Sequence, residues 1–85
     1  MHINSSMYTI MGWVGTLAYL LAYFLLSINK ISSKSLLYHS LNVIGAIGLT
    51  ANALHLADVP NVVVNCAWGL IAISALVVFS RKKQN

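Results

Sequence analysis

The residues of this chain that could do chemistry are uncharged, and they fall in stripes. Tyr38, Asn42, Gly45, Leu49 and Asn52 recur at i, i+4, i+7 spacing and so share one face of a helix. Asn61, Asn65, Trp68 and Ala72 make a similar line further on, and Gly12, Thr16, Tyr19 and Tyr23 another near the start. An asparagine amide both donates and accepts hydrogen bonds. A Trp or Tyr ring packs on an apolar surface while its polar edge bonds. Three such faces brought together make a pocket suited to a neutral polyhydroxylated or amide-bearing solute.

Other chemistries lack their groups. His39 and His55 stand 16 positions apart near opposite ends of one helix, so they cannot share a metal within one protomer. No Ser/His/Asp set, paired-cysteine motif or phosphate-binding glycine loop occurs, so no enzyme, catalytic residue, metal site or cofactor is expected. Cys66 is the single cysteine and cannot form an intrachain disulfide. The stripes also have a purely structural reading. Asparagines in a bilayer bond neighbouring helices for about 0.6 kcal/mol per contact, Gly12/Gly15 and Gly45/Gly48 let helices approach closely, and Trp68 fills space. The coincidence of three polar stripes favours a site.

The elements that must position these residues follow from the charges. Of 85 residues, five are Lys or Arg and one is acidic, with 59% hydrophobic. A soluble domain is typically about a quarter charged, so a water-soluble monomer is excluded, and disorder is excluded by the apolar content. The charges sit at Lys30, Lys34, Asp58, Arg81, Lys82 and Lys83, leaving uncharged stretches at 7–28, 36–57 and 59–80. Each stretch is 22 residues, or roughly 33 Å as a helix at about 1.5 Å per residue. That suits a hydrocarbon core of about 30 Å crossed with some tilt.

The expected fold is therefore all-α transmembrane, a three-helix bundle forming a single membrane domain over 1–85. Lys30, Lys34 and the basic tail fall on one side of such a bundle, and the other side has no Lys or Arg. This places the N-terminus outside and the C-terminus in the cytoplasm. The basic tail reads as an anchor to anionic lipid, with no nucleic acid partner. Met1–Ser6 has no basic segment and the first stretch is too long for a signal-peptide core, so the first helix is expected to be retained. Between the first two helices, Ser32, Ser33 and Ser35 are candidate N-caps. Asp58-Val-Pro60 makes the second connection tight, and Asp58 suits the N-terminus of the third helix.

The segment Asp58-Val-Pro60 followed by Asn65, within ADVPNVVVNCAWG, resembles the start of the third helix in SemiSWEET transporters, the three-helix bacterial relatives of SWEET sugar transporters in the PQ-loop group. The likeness runs loosely from Gly12 to about Val78. It implies a parallel homodimer in the bacterial cytoplasmic (inner) membrane, with a sugar path between protomers worked by alternating access. On that resemblance Asn65 matches a pocket asparagine and Asp58 an acidic residue of the outer gate. Leu25 and Leu26 stand where the family has its Pro-Gln hinge. Leu49 lies near the position of its pocket tryptophan, and Asn52 and Leu56 near those of its gate tyrosine and arginine.

The expectation is thus a homodimeric carrier of a small neutral solute embedded in the lipid bilayer. Asn65, Asn42 and Asn52 hydrogen-bond the solute, Trp68, Tyr19 and Tyr23 pack on it, and Asp58 with His55 closes the outer gate. The alternative is a non-transporting scaffold or accessory subunit whose polar residues only hold helices together.

Overall fold

The computed structural model describes residues 5–83. Most of the Met1–Ser6 tail, and the side chains of Lys82 and Lys83, lie outside the described residues. The chain forms three helices, α1 (Ser5–Ser27), α2 (Leu36–His55) and α3 (Val59–Lys83), and no strand occurs among the described residues. The fold extends over 44 × 26 × 24 Å.

Each turn is set by its residues. At the end of α1, Asn29 takes a left-handed φ of 62°, so that Lys30 N–H donates to the Leu25 carbonyl at 2.9 Å and Asn29 N–H to that of Leu26 at 3.2 Å. This is a Schellman ending, and Asn is one of the few residues other than glycine that readily takes it. α2 begins at Ser35, whose hydroxyl accepts from the Leu37 and Tyr38 amides at 3.1 and 3.4 Å. It ends two residues before the end of the uncharged stretch, because Ala57 adopts a φ of 56° and Asp58 N–H turns back to the Ala53 carbonyl at 2.9 Å. Asp58 then caps α3. Its carboxylate accepts from the Asn61 amide N–H at 3.4 Å and from the Asn61 side chain at 2.6 Å.

The two short connections make successive antiparallel pairs, so α1 and α3 run in the same direction. α2 lies between them and packs on both, while α1 and α3 make no backbone approach to each other. Small residues set the α1–α2 seam. A Cβ on Gly15 would come 2.7 Å from the Gly45 carbonyl oxygen and 2.9 Å from the Leu49 nitrogen, and one on Gly48 would overlap the Met11 carbonyl. Backbone therefore meets backbone, as small residues allow in bilayer-embedded helix pairs. Ala18 and Ala22 continue that seam on α1, and Gly69 against Ala46 opens the α2–α3 seam.

The interior is built of small residues and two amides, the exterior of large apolar side chains. The buried set is Ala18, Ala22, Ala46, Ala53 and Ala72 with the glycines and two asparagines, Asn42 and Asn65. Leu17, Leu20, Phe24, Ile47, Leu70 and Ile71 are exposed. In water such a surface would be a liability; it fits a lipid surround. α1 and the 59–81 part of α3 are each long and apolar enough to cross a membrane, and little of either is buried within the chain. Of the three expected spans, α2 is the one outside that pair. It has 20 residues but carries Tyr38, His39, Ser40, Asn42, Thr50, Asn52 and His55.

Candidate functional site

The α1 and α3 helices meet α2 on different sides of its surface and leave a cleft between them. Its floor is the α2 stripe. Tyr19, Ala22 and Tyr23 of α1, Tyr38 and Asn42 of α2, and Val64, Asn65 and Trp68 of α3 enclose about 300 Å³. The cleft therefore joins five of the six residues expected to touch a solute: Asn65, Trp68, Asn42, Tyr19 and Tyr23. Tyr38 is a sixth polar lining residue, and the signal for it is its place one turn before Asn42 in the same stripe.

The position of Tyr19 comes from a glycine. Its ring packs against Gly45, where a Cβ would overlap Cδ1 and stand 2.5 Å from Cε1 and 2.9 Å from Cγ. Seated there, Tyr19 donates its hydroxyl to Asn65 Oδ1 at 3.0 Å, bridging α1 to α3 across the cleft. Asn65 in turn donates to the Asn61 carbonyl one turn back at 2.9 Å. The second amide is held in the same way. Asn42 donates to the Tyr38 carbonyl at 2.8 Å, and its Oδ1 accepts from the Trp68 indole N–H at 2.9 Å.

These bonds fix both amides and leave capacity over. A side-chain amide offers two N–H donors and two acceptor positions on its oxygen. Asn42 and Asn65 each use one of either kind, so each retains one donor and one acceptor beside the cleft. Both are buried, at 6% and 7% exposure, whereas Tyr23 is 69% and Trp68 46% exposed. The polar atoms thus lie at the back and the rings at the rim. No titratable carboxylate or cation lines the cleft. The arrangement can hydrogen-bond and stack on a neutral molecule, and it offers no fixed charge to attract an ion.

Three expected residues lie elsewhere. Asn52 faces a separate cavity of about 340 Å³ with Thr9, Gly12, Trp13, Thr16, Leu49 and Leu56. The positions of Asp58 and His55 do not make them partners. Asp58 is engaged as the α3 cap with Asn61, and His55 stacks on Tyr8 with ring centroids 4.4 Å apart and planes 7° from parallel. The other histidine, His39, contacts the Ser33 carbonyl through Nε2 at 2.7 Å and leans on the Phe79 ring. No group of three or more His, Cys, Asp or Glu residues that could hold a metal occurs among the described residues.

Fold and cleft define an all-helical, three-helix protein with two membrane-length apolar helices and a neutral polar recess between them. A protein family of unknown function matches residues 8–83, nearly the whole chain, and the chain belongs to that family. No curated protein and no solved structure matches it.

Proposed function

We propose that this protein is an integral membrane carrier for a small neutral polar solute, working as a homodimer in the manner of the SemiSWEET transporters that its sequence resembles. One observation carries the reading. The polar cleft opens on the surface of a single copy, where lipid would leave Tyr23 and the half-buried Tyr38 facing hydrocarbon at the mouth of a recess backed by the buried Asn42 and Asn65. Exposed polar groups are costly there and normally face protein or water. A second copy related by a twofold axis along the membrane normal would cover the cleft and face it with its own, giving a path lined on two sides. In this reading all three helices span the membrane, the Asp58 end is outside and the Lys30/Lys34 loop is cytoplasmic.

The solute would take the free donor and acceptor of Asn42 and Asn65 and stack on Trp68 or Tyr23. At about 300 Å³ the recess stands at the small end of ligand pockets, the scale of a monosaccharide-sized molecule. Uptake of labelled mono- and disaccharides into proteoliposomes tests this. Uptake above empty vesicles that falls at least tenfold in Asn65→Ala and Trp68→Ala is the expected outcome; uptake equal to empty vesicles for every sugar would remove the sugar version.

The scaffold reading has an observation of its own. Tyr19–Asn65 joins α1 to α3 and Trp68–Asn42 joins α3 to α2, so the same residues tie the helices together. The two readings differ in one readout. A scaffold loses stability in these variants and has no uptake to lose.

A further inference from the structure

The two polar cavities lie one after the other along one side of the fold. The α1 stripe passes from Gly12 and Thr16, which line the Asn52 cavity, to Tyr19 and Tyr23, which line the cleft. On α2 the same succession runs from Asn52 and Leu49, with Leu56 just past the helix end, to Asn42 and Tyr38. Thr16 and Tyr19 are one helical turn apart, as are Gly45 and Leu49. The Tyr19 ring seated on Gly45 therefore stands at the boundary, and its hydroxyl crosses to Asn65 there. This is the one side-chain hydrogen bond between α1 and α3 shown among the described residues, and no backbone approach reinforces it.

The Asn52 cavity is itself polar. Thr9 and Thr16 supply hydroxyls, and the Asn52 amide lies over Gly12, with Cγ and Nδ2 each 3.0 Å from where a Gly12 Cβ would be. Asn52 side-chain hydrogen bonds are absent among the described residues, unlike those of Asn42 and Asn65. Its amide keeps its donors and acceptor unspent beside the cavity.

We propose that the Asn52 cavity is a second polar chamber of the same path, open at the Asp58 end, and that the Tyr19–Asn65 hydrogen bond is the partition separating it from the cleft. The proposal rests on the carrier reading for the identity of what passes and for the second copy that covers the open side of the cleft; the place of the partition comes from the geometry of Tyr19, Gly45 and Asn65. When Tyr19 releases Asn65, the ring can swing toward the open side of the cleft and the two chambers join.

Thiol accessibility tests the partition without relying on transport. In a Cys66→Ser background, single cysteines are placed at Thr16 for the Asn52 chamber and at Val64 for the cleft. Vesicles are treated from the Asp58 side with a membrane-impermeant methanethiosulfonate, and a Val59→Cys protein identifies that side. Thr16→Cys should label readily and Val64→Cys at least tenfold more slowly. Adding Tyr19→Phe, which keeps the ring and removes the hydroxyl, should speed Val64→Cys labelling at least fivefold without changing Thr16→Cys. Asn65→Leu removes the other partner and should give the same rise. Equal rates at the two sites in the parent, an unreactive Thr16→Cys, or no rise with either partner removed would overturn the partition. Vesicles that label as expected but take up no solute would overturn the carrier reading alone.

Discussion

Gly45→Ala is the smallest change that reaches the cleft without touching a polar atom. The added methyl would occupy the space of the Tyr19 ring, 2.5 Å from Cε1 and 2.9 Å from Cγ. Because Cγ is at the base of the ring, rotation of the ring about its own axis cannot relieve the overlap; χ1 must change or the helices must separate. Overpacking of this kind costs about 1–3 kcal/mol. The displaced hydroxyl also leaves Asn65, forfeiting an interhelical hydrogen bond worth about 0.6 kcal/mol in a bilayer. Replacing helical glycine with alanine returns about 1 kcal/mol of helix propensity. The net expectation is a loss of about 0.6–2.6 kcal/mol, measured by reversible unfolding in detergent or bicelles followed by helical circular dichroism. The mechanism is specific to one partner, so a double-mutant cycle isolates it. In a Tyr19→Ala background the ring is gone, and Gly45→Ala should become neutral or stabilising. If Gly45→Ala costs as much without the tyrosine as with it, the methyl clashes with something else and the seating of Tyr19 by Gly45 is wrong.

Other expectations concern the caps and the second amide. Asp58→Ala should cost about 1 kcal/mol through loss of the α3 cap, whereas Asp58→Asn, which still caps, should stay within about 0.5 kcal/mol of the parent; an equal loss in both would point to a charge-dependent role such as pairing with His55. Ala57→Gly relieves a left-handed residue worth about 1–2 kcal/mol and gives back part of it to unfolded-chain entropy, about 0.4–1 kcal/mol, so unfolding should show a gain of about 0.5–1 kcal/mol. Trp68→Phe keeps the ring and removes the donor to Asn42, so it should cost about 0.6 kcal/mol and vanish as a separate loss in an Asn42→Leu background.

Much of the cleft was legible from spacing because helices convert it directly into faces. Asn42 and Tyr38, Asn65 and Trp68, and Tyr19 and Tyr23 each sit three or four positions apart, and each pair lines the recess. The periodicity could not say how the faces would be distributed among cavities. Asn52 belongs to the Asn42 stripe, yet ten residues along α2 it lines a different cavity, beside Gly12 and Thr16 where Asn42 has Tyr19 and Tyr23. Nor could spacing assign partners near a helix end. Asp58 and His55 are three positions apart, but the left-handed turn at Ala57 lies between them, and Asp58 is engaged by Asn61 and His55 by Tyr8. Glycine told least of all from sequence alone, since a seat for an aromatic ring and a helix–helix contact look alike there. The structure makes Gly15 and Gly48 the latter and Gly45 both, its Cα under the Tyr19 ring and its carbonyl against Gly15.

The central claim is that the cleft is half of a path completed by a second copy, and disulfide cross-linking in native membranes tests it most directly. In a Cys66→Ser background, cysteine at Tyr23 stands at the rim of the cleft, and cysteine at Ile47, also exposed, lies in the apolar groove between α2 and α3 away from it. Oxidation should convert Tyr23→Cys largely to a covalent dimer and leave Ile47→Cys monomeric. Dimers through Ile47, or a chain that stays monomeric at both positions, would contradict it.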